Sequence, residues 1–222
     1  MDVWERCWER CAALLAAQGV SLPPGAREKL EAHARLVREW NKVAGLVSHR
    51  DEGRIERAHT MDSLSLAPIV ARACGGKGRL VDIGSGGGFP AIPLKVALPG
   101  LDVRFIERST RKLGFLRKAF PALGLDACVV VAGSFPEDMD LEGADVVTAR
   151  AVEKPGPIVG AIAERLGPGA VFLCQSGDPS AQLAAVFHVE HVHDAWNEEG
   201  LRRGEVFVVH RGATLETQPR QA

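Results

Sequence analysis

The sequence predicts an α/β protein in which a mainly parallel sheet ends in an antiparallel hairpin and follows an N-terminal helical region. Three observations point there. Helical periodicity fills the first third, a glycine-rich break at Gly75-Gly76-Lys77-Gly78 follows, and short apolar runs then alternate with helical patterns, as in βαβ units. A chain of 222 residues can bury one sizeable core but not comfortably two. Residues 1–75 are therefore expected to pack on a sheet domain built from residues 76–222.

From Asp2 to about Ala17, Val3, Cys7, Cys11, Leu14 and Leu15 recur at helical spacing, and Gly19 ends the pattern. After Pro23-Pro24-Gly25 a second helix is expected from Ala26 to about Val43, with Leu30, Ala34, Val37 and Trp40 on its apolar stripe. A third runs from about Arg54 to Ala73, with Pro68 as the point where it would kink. Strands are expected at Leu80–Ile83, Val103–Ile106, Cys128–Val131, Asp145–Thr148 and Ala170–Cys174. Helices are expected at Ala91–Ala97, Thr110–Leu123, Pro155–Arg165 and Ser180–Phe187. The late runs His188–His193 and Glu205–His210 are separated by a polar loop too short for a crossover helix, so they should pair antiparallel.

Composition excludes several classes. Hydrophobic residues at 46%, charged residues at 25% and a formal charge of −1 describe an ordinary globular chain, neither a disordered tail nor a strongly basic coat protein. A nucleic-acid partner would have to meet a local basic patch. Five cysteines, Cys7, Cys11, Cys74, Cys128 and Cys174, form no CxxC pair, which reads as a reducing, cytoplasmic setting. The start MDVWERCWER lacks an export signal, and no stretch approaches the ~20 apolar residues of a membrane span.

The most informative stretch is Val81-Asp82-Ile83-Gly84-Ser85-Gly86-Gly87-Gly88-Phe89-Pro90, at the junction of the first strand with its helix. Its glycines let the backbone turn and approach a ligand closely. The spacing is GxGxG, and Phe89 occupies the position that would complete the dinucleotide pattern. Asp82, two residues before Gly84, would disfavour a pyrophosphate but suit a cofactor with a cationic amino-acid end, such as S-adenosylmethionine. Glu107, at the end of the second strand, is placed to accept both hydrogen bonds of a ribose diol. A surface acid paired with Arg108 or Arg111 is the plainer alternative, and Arg108 leaves NADP open.

These residues, with others along the chain, resemble a family. Trp40-Asn41-Lys42 ahead of Leu46-Val47-Ser48, His59-x-x-Asp62-Ser63, the loop Asp82 to Pro93, Arg111-Lys112-x-x-Phe-Leu and Ala149-Arg150-Ala151 look like the bacterial small-subunit ribosomal RNA guanine-N7 methyltransferases, methyltransferase G, formerly glucose-inhibited division protein B. The resemblance implies a cytoplasmic class I adenosylmethionine-dependent, Rossmann-like methyltransferase that acts on the small ribosomal subunit or its RNA; no metal, no membrane association and a monomeric state are expected besides. It places Gly84 and Phe89 against the cofactor, Phe135 with Pro136 beside the adenine, and Arg150 near methyl transfer. The expected cofactor set is Asp82, Gly84, Ser85, Gly86, Gly88, Phe89, Glu107, Arg108, Ser134, Phe135, Pro136 and Arg150. Departures are Gly45-Leu46-Val47-Ser48 for the family's Asn-Leu-Thr-Ser, and Gln175-Ser176-Gly177 where Lys-Gly is expected. They leave room for a small-molecule methyltransferase or a non-catalytic, cofactor-binding ribosome assembly factor.

The chemistry fits the residues. Guanine N7 has an exposed lone pair and needs no general base. Exocyclic amines are usually served by an Asn/Asp-Pro-Pro-aromatic element after the fourth strand, and cytosine C5 by a cysteine. Here that position reads Val147-Thr148-Ala149-Arg150-Ala151-Val152, with neither, so Arg150 is expected to position the acceptor. Its alternative is a structural pairing with Glu153 or Asp145.

The candidate RNA patch comprises Arg111, Lys112, Arg117 and Lys118, with a solvated helix face as the alternative. Trp40 suits a core position better than base stacking. His188, His191 and His193 alternate faces on a strand, which argues against a metal cluster. His59 and Asp62 can meet across a helical turn, either to hold the helix on the domain or to touch substrate.

Overall fold

The computed structural model describes residues 3–150, 155–175, 179–183 and 187–210. In chain order the elements are α1 (Val3–Ala17), α2 (Ala26–Ala44), α3 (Asp62–Leu64), α4 (Ala67–Cys74), β1 (Arg79–Ile83), α5 (Ala91–Ala97), β2 (Asp102–Glu107), α6 (Thr110–Ala122) and β3 (Cys128–Ala132). There follow β4 (Val146–Arg150), α7 (Pro155–Arg165), β5 (Val171–Gln175), α8 (Ser180–Leu183), β6 (His188–Val192), α9 (Ala195–Glu198) and β7 (Val206–His210).

The seven strands form one sheet in the order β3-β2-β1-β4-β5-β7-β6. The first five are parallel, and β7 lies antiparallel between β5 and β6, which gives the expected hairpin. The four-residue helix α9 sits in the hairpin connection without crossing the sheet. The direction of winding reverses between β1 and β4, and the carboxyl edge at such a switch point is where ligands bind in open α/β sheets.

Alternation along the strands sorts the core into two layers. Leu80, Phe105, Val146 and Leu173 join α1, α2, α4, α5 and α6 on one face. Val81, Ile106, Val147 and Phe172 meet α7 and Leu183 on the other. Asp82, Thr148 and Arg150 fall on the first parity, so their side chains are directed toward the N-terminal helical layer. That parity decides which residues can reach Arg150.

Two sequence expectations change. The third helix is not continuous: a 3-10 turn at Glu52–Arg54 and a π-helical turn at Glu56–Met61 lead into α3, and α4 begins afresh at Ala67. Pro68 lies in the first turn of α4, where a missing N–H costs nothing, so it starts a helix and does not kink one. The fourth strand runs two residues beyond the expected end, and Arg150 is its last residue, paired with Gln175. The helix expected to Phe187 is described only to Leu183, and residues 184–186 lie outside the described part.

Trp40 packs against the core, edge-on to Phe115 with ring centroids 6.2 Å apart. His188 faces His210 across the hairpin and His191 stacks on Phe207. Among the described residues no group of three or more His, Cys, Asp or Glu is placed to hold a metal ion. No described helix is long and apolar enough to cross a membrane.

Candidate active site

The loop after β1 turns on Gly84, Gly86 and Gly88, at φ values of 73°, 51° and 78°. These lie in the left-handed region that glycine enters without penalty. At Gly88 space forbids a side chain as well, because an added Cβ would lie 2.4 Å from Ile92 Cδ1. Only Gly84 is exposed; residues 85–90 are buried. The cover comes from the helical layer, where Leu46 packs on Gly87 and His33 of α2 places Nε2 2.8 Å from the Gly87 carbonyl oxygen. Since a carbonyl only accepts, Nε2 carries the proton. Burial holds the His33 imidazole down at about 4, so it is neutral.

Asn41 sets the Leu46 segment against this loop. Its Oδ1 accepts from the backbone N–H groups of Leu46 and Val47 at 2.7 and 2.9 Å, and its Nδ2 donates to the Val47 carbonyl at 3.1 Å. Gly45 stops α2 with φ 60°. An asparagine, the residue the resemblance leads one to expect there, also tolerates that conformation. The departure at Gly45 thus preserves the helix end.

A cleft of about 800 Å3 opens at the carboxyl edge, lined among others by Gly84, Glu107, Arg108, Ser134, Phe135 and Pro136. These are six of the twelve expected cofactor residues. Glu107 is buried, and its two oxygens accept from Gly86 N–H at 2.9 Å and Ser109 N–H at 2.8 Å. One carboxylate therefore fixes the glycine loop and the start of α6 while each oxygen keeps a second lone pair for a ligand. Gly133 permits a close turn beside it, since an added Cβ would come within 2.6 Å of Asp138 Cβ. Lys112, expected to meet RNA, lines this cleft, as do Pro157 and Ile158 of α7.

The remaining expected cofactor residues lie under or behind the cleft. Ser85 is buried and donates to the Asp82 carbonyl at 2.9 Å. Gly86 and Gly88 are buried in the loop. Asp82 is buried, accepts from Thr148 Oγ1 at 2.6 Å, and leaves Oδ2 without a hydrogen-bond partner. Burial pushes its acid up to about 7.

Phe89 is 5% exposed and sandwiched between His33 and His59, with ring centroids 4.6 and 5.2 Å away. It floors the site instead of lining the cleft.

Arg150 also stands outside the cleft lining, because its strand parity turns it toward the helical layer. Its guanidinium lies 5.3 Å from the Phe89 ring centroid, donates to Asp62 Oδ2 at 3.3 Å and meets His59 Nδ1 at 3.0 Å. Arginine can only donate, so Nδ1 accepts and the His59 proton sits on Nε2, 3.4 Å from Asp51 Oδ2. Desolvation, aided by the neighbouring Arg150 charge, lowers His59 to about 4. Asp145, an expected partner of Arg150, instead accepts from the backbone N–H of Arg79, and Glu153 lies outside the described residues. Asp62 Oδ1 accepts from the Arg203 backbone N–H at 2.9 Å, which ties the site to the hairpin connection.

Of the other expected RNA-contacting residues, Arg111 donates to the Val43 carbonyl at 3.4 Å, and Arg117 and Lys118 are exposed on α6. His33 as a site residue, and Lys112 as a residue of the cleft, were missed. A polar ring on an otherwise apolar stripe was the available signal for His33, but only for burial. Lys112 carried no signal that separates a cleft from a surface.

With this geometry in place, comparison with known proteins is decisive. The family described as rRNA small subunit methyltransferase G matches residues 26–186. The chain belongs to that family. The methyltransferase G of Neisseria gonorrhoeae is 36% identical over 169 residues, covering 76% of this chain and 79% of the relative. That of Aromatoleum aromaticum is 37% identical over 187 residues, covering 81% and 87%. As a member, the chain is an adenosylmethionine-dependent methyltransferase of ribosomal RNA.

Solved structures agree on the class I methyltransferase fold. MtNAS in complex with MTA and tNA superimposes with a TM-score of 0.55 at 17% identity, covering 85% of this chain and 72% of that one. The T. thermophilus 16S rRNA N2 G1207 methyltransferase, in complex with AdoMet and guanosine, gives 0.52 at 19% identity, covering 68% and 43%.

Proposed function

We propose that this methyltransferase G relative transfers the methyl group of adenosylmethionine to N7 of a guanine in the small-subunit ribosomal RNA. The observation that carries the choice of acceptor is the end of β4, which offers a guanidinium and no base. Arg150 is balanced by Asp62 and fixed over Phe89. The stretch from Val147 to Val152 contains neither an Asn/Asp-Pro-Pro-aromatic element nor a cysteine.

In the transfer, the bond from methyl carbon to sulfur breaks as the N7 lone pair forms the new one, and the positive charge passes from the sulfonium to the base. No proton leaves first, so the protein's contribution is alignment. Gly84, Glu107, Ser134 and Phe135 line the cleft and would hold the cofactor there. The strand register sets Ala149 beside Ile83, so Arg150 lies level with Gly84 at the edge where an acceptor enters. Its planar fork suits a phosphate or the O6 edge of guanine. A cytosine-C5 mechanism is disfavoured by the cysteines: burial pushes Cys11 up to about 12 and Cys128 up to about 11, and Cys174 is buried within β5.

Labelled adenosylmethionine incubated with small subunits, with their extracted RNA or with a metabolite extract tests the reading. Label in RNA at a 7-methylguanine is the expected result. Label confined to small molecules would replace it with the small-molecule reading that Val47 and Gln175 leave open, and cofactor binding without transfer would favour an assembly factor.

A further inference from the structure

A second cavity, of about 630 Å3, lies where α1, the 3-10 and π-helical turns and the connection between α9 and β7 come together. It shares no lining residue with the cofactor cleft. Its walls carry the side chains of Trp4, Arg54, Arg57 and Arg203, with one acid, Glu56.

The charges do not cancel. Glu56 is taken up by an ion pair with Arg38, which lies outside the lining. Asp51 neutralises at most one positive charge, yet receives both Arg54, at 3.0 Å, and Arg203, at 3.1 Å. Arg57 is exposed and makes no ion pair among the described residues. The cavity thus holds a net positive charge inside a chain whose formal charge is −1. Trp4 contributes an aromatic wall whose indole N–H is held by Glu31 Oε1 at 2.9 Å. A pocket of this size, with guanidinium groups and a fixed aromatic ring, has the chemistry of a nucleotide within a strand.

Its location adds to the argument. The backbone N–H of Arg203 donates to one oxygen of Asp62, and Arg150 donates to the other. The cavity wall and the acceptor-positioning guanidinium are therefore separated by a single carboxylate. We propose that this cavity is a second RNA subsite, which takes a phosphodiester and its nucleotide from the substrate strand flanking the methylated guanine. The proposal rests on ribosomal RNA being the acceptor.

The test uses the full chain with S-adenosylhomocysteine and small-subunit RNA, titrated across a salt series by fluorescence anisotropy. The R54Q/R57Q double variant is compared with R72Q, which removes a similar exposed charge on α4 outside the cavity. The double variant should bind RNA about tenfold more weakly at low salt, with a log–log salt slope shallower by about 0.7, the share of one single-strand phosphate. Calorimetric affinity for S-adenosylhomocysteine and the melting temperature should not move. A double variant that binds with the affinity and slope of R72Q would overturn the subsite while leaving RNA methylation by the wild type intact. A wild type that methylates no RNA would instead remove the acceptor, and the subsite with it.

Discussion

His33 Nε2 donates to the Gly87 carbonyl at 2.8 Å, which fastens helix α2 to the middle of the glycine loop. The N-terminal helical layer is therefore part of the construction of the glycine loop. A Rossmann-like loop normally rests on its own following helix. Here a residue 54 positions upstream holds it from the other side.

His33→Phe keeps an aromatic ring against Phe89 but removes the donor and leaves the Gly87 carbonyl buried and unpaired. The expected cost is about 1–3 kcal/mol in stability, with a several-fold loss in adenosylmethionine affinity. Thermal melts and calorimetry with S-adenosylhomocysteine measure both. Unchanged values would mean that the loop holds its own shape.

Glu107→Ala strips the acceptor from Gly86 and Ser109 at once, as well as the carboxylate offered to a ribose diol. A loss of roughly 1.5–3 kcal/mol in cofactor binding is expected, the range for hydrogen bonds to a charged group. Glu107→Gln retains one acceptor oxygen and should fall between wild type and alanine. An alanine variant with wild-type cofactor affinity would reduce Glu107 to a structural acid.

Arg150→Lys replaces a fork by a point charge above Phe89. It cannot keep His59 and Asp62 together in the same plane, so alignment of the acceptor should suffer. Single-turnover methylation should fall by on the order of a hundredfold, as for a displacement of about 1 Å. Cofactor affinity should hold within a few-fold, because Arg150 does not line the cleft. Near-normal transfer with a lowered melting temperature would make Arg150 a strut between layers.

Asp82 and the imidazoles of His33 and His59 pull stability in opposite directions with pH. Asp82 is raised from 3.8 to about 7. Between those values the folded chain binds more protons, and this contribution is lost as pH rises toward and through the folded value. The two histidines are lowered from 6.5 to about 4. In that window the unfolded chain binds more protons, so their contribution is complete above 6.5 and lost as pH falls toward 4. Asp82→Asn keeps an acceptor for Thr148 and removes only the first titration. Its melting temperature should gain on the wild type from about pH 5 to about pH 7 and level off above it. A constant difference across that range would show that Asp82 does not ionise within it.

Much of this architecture was legible in the sequence. The alternation of apolar runs gave the parallel strands, and the spacing between the late runs gave the hairpin. The glycine spacing with Glu107 located the cleft, because both are set by local backbone geometry. What escaped were facts of parity and long range. Arg150 was expected both to position the acceptor and to neighbour the cofactor, but β4 runs two residues further than expected and the alternation of its side chains turns Arg150 to the helical layer. The segment from Glu52 to Leu64 shows helical periodicity, yet its π-helical turn depends on packing that brings His59 and Asp62 to Arg150. His33 was not singled out on its amphipathic helix, since its partner is a backbone carbonyl with no sequence signature.

The hairpin at the far end of the chain has a consequence for biosynthesis. The buried Arg202 clamps Ser65 by its hydroxyl and its carbonyl, and Trp196 reaches back to Gln18, 178 residues earlier. Val206 and Val208 share a core with Cys11, Leu15 and Leu30. The first-made helices therefore emerge from the ribosome with part of their apolar surface uncovered, and it stays so until β7 has been translated. At about 5–20 residues per second, that interval lasts on the order of ten seconds or more. A nascent chain stalled before β7 should consequently recruit chaperones through its amino-terminal helices, even though the glycine loop is already complete.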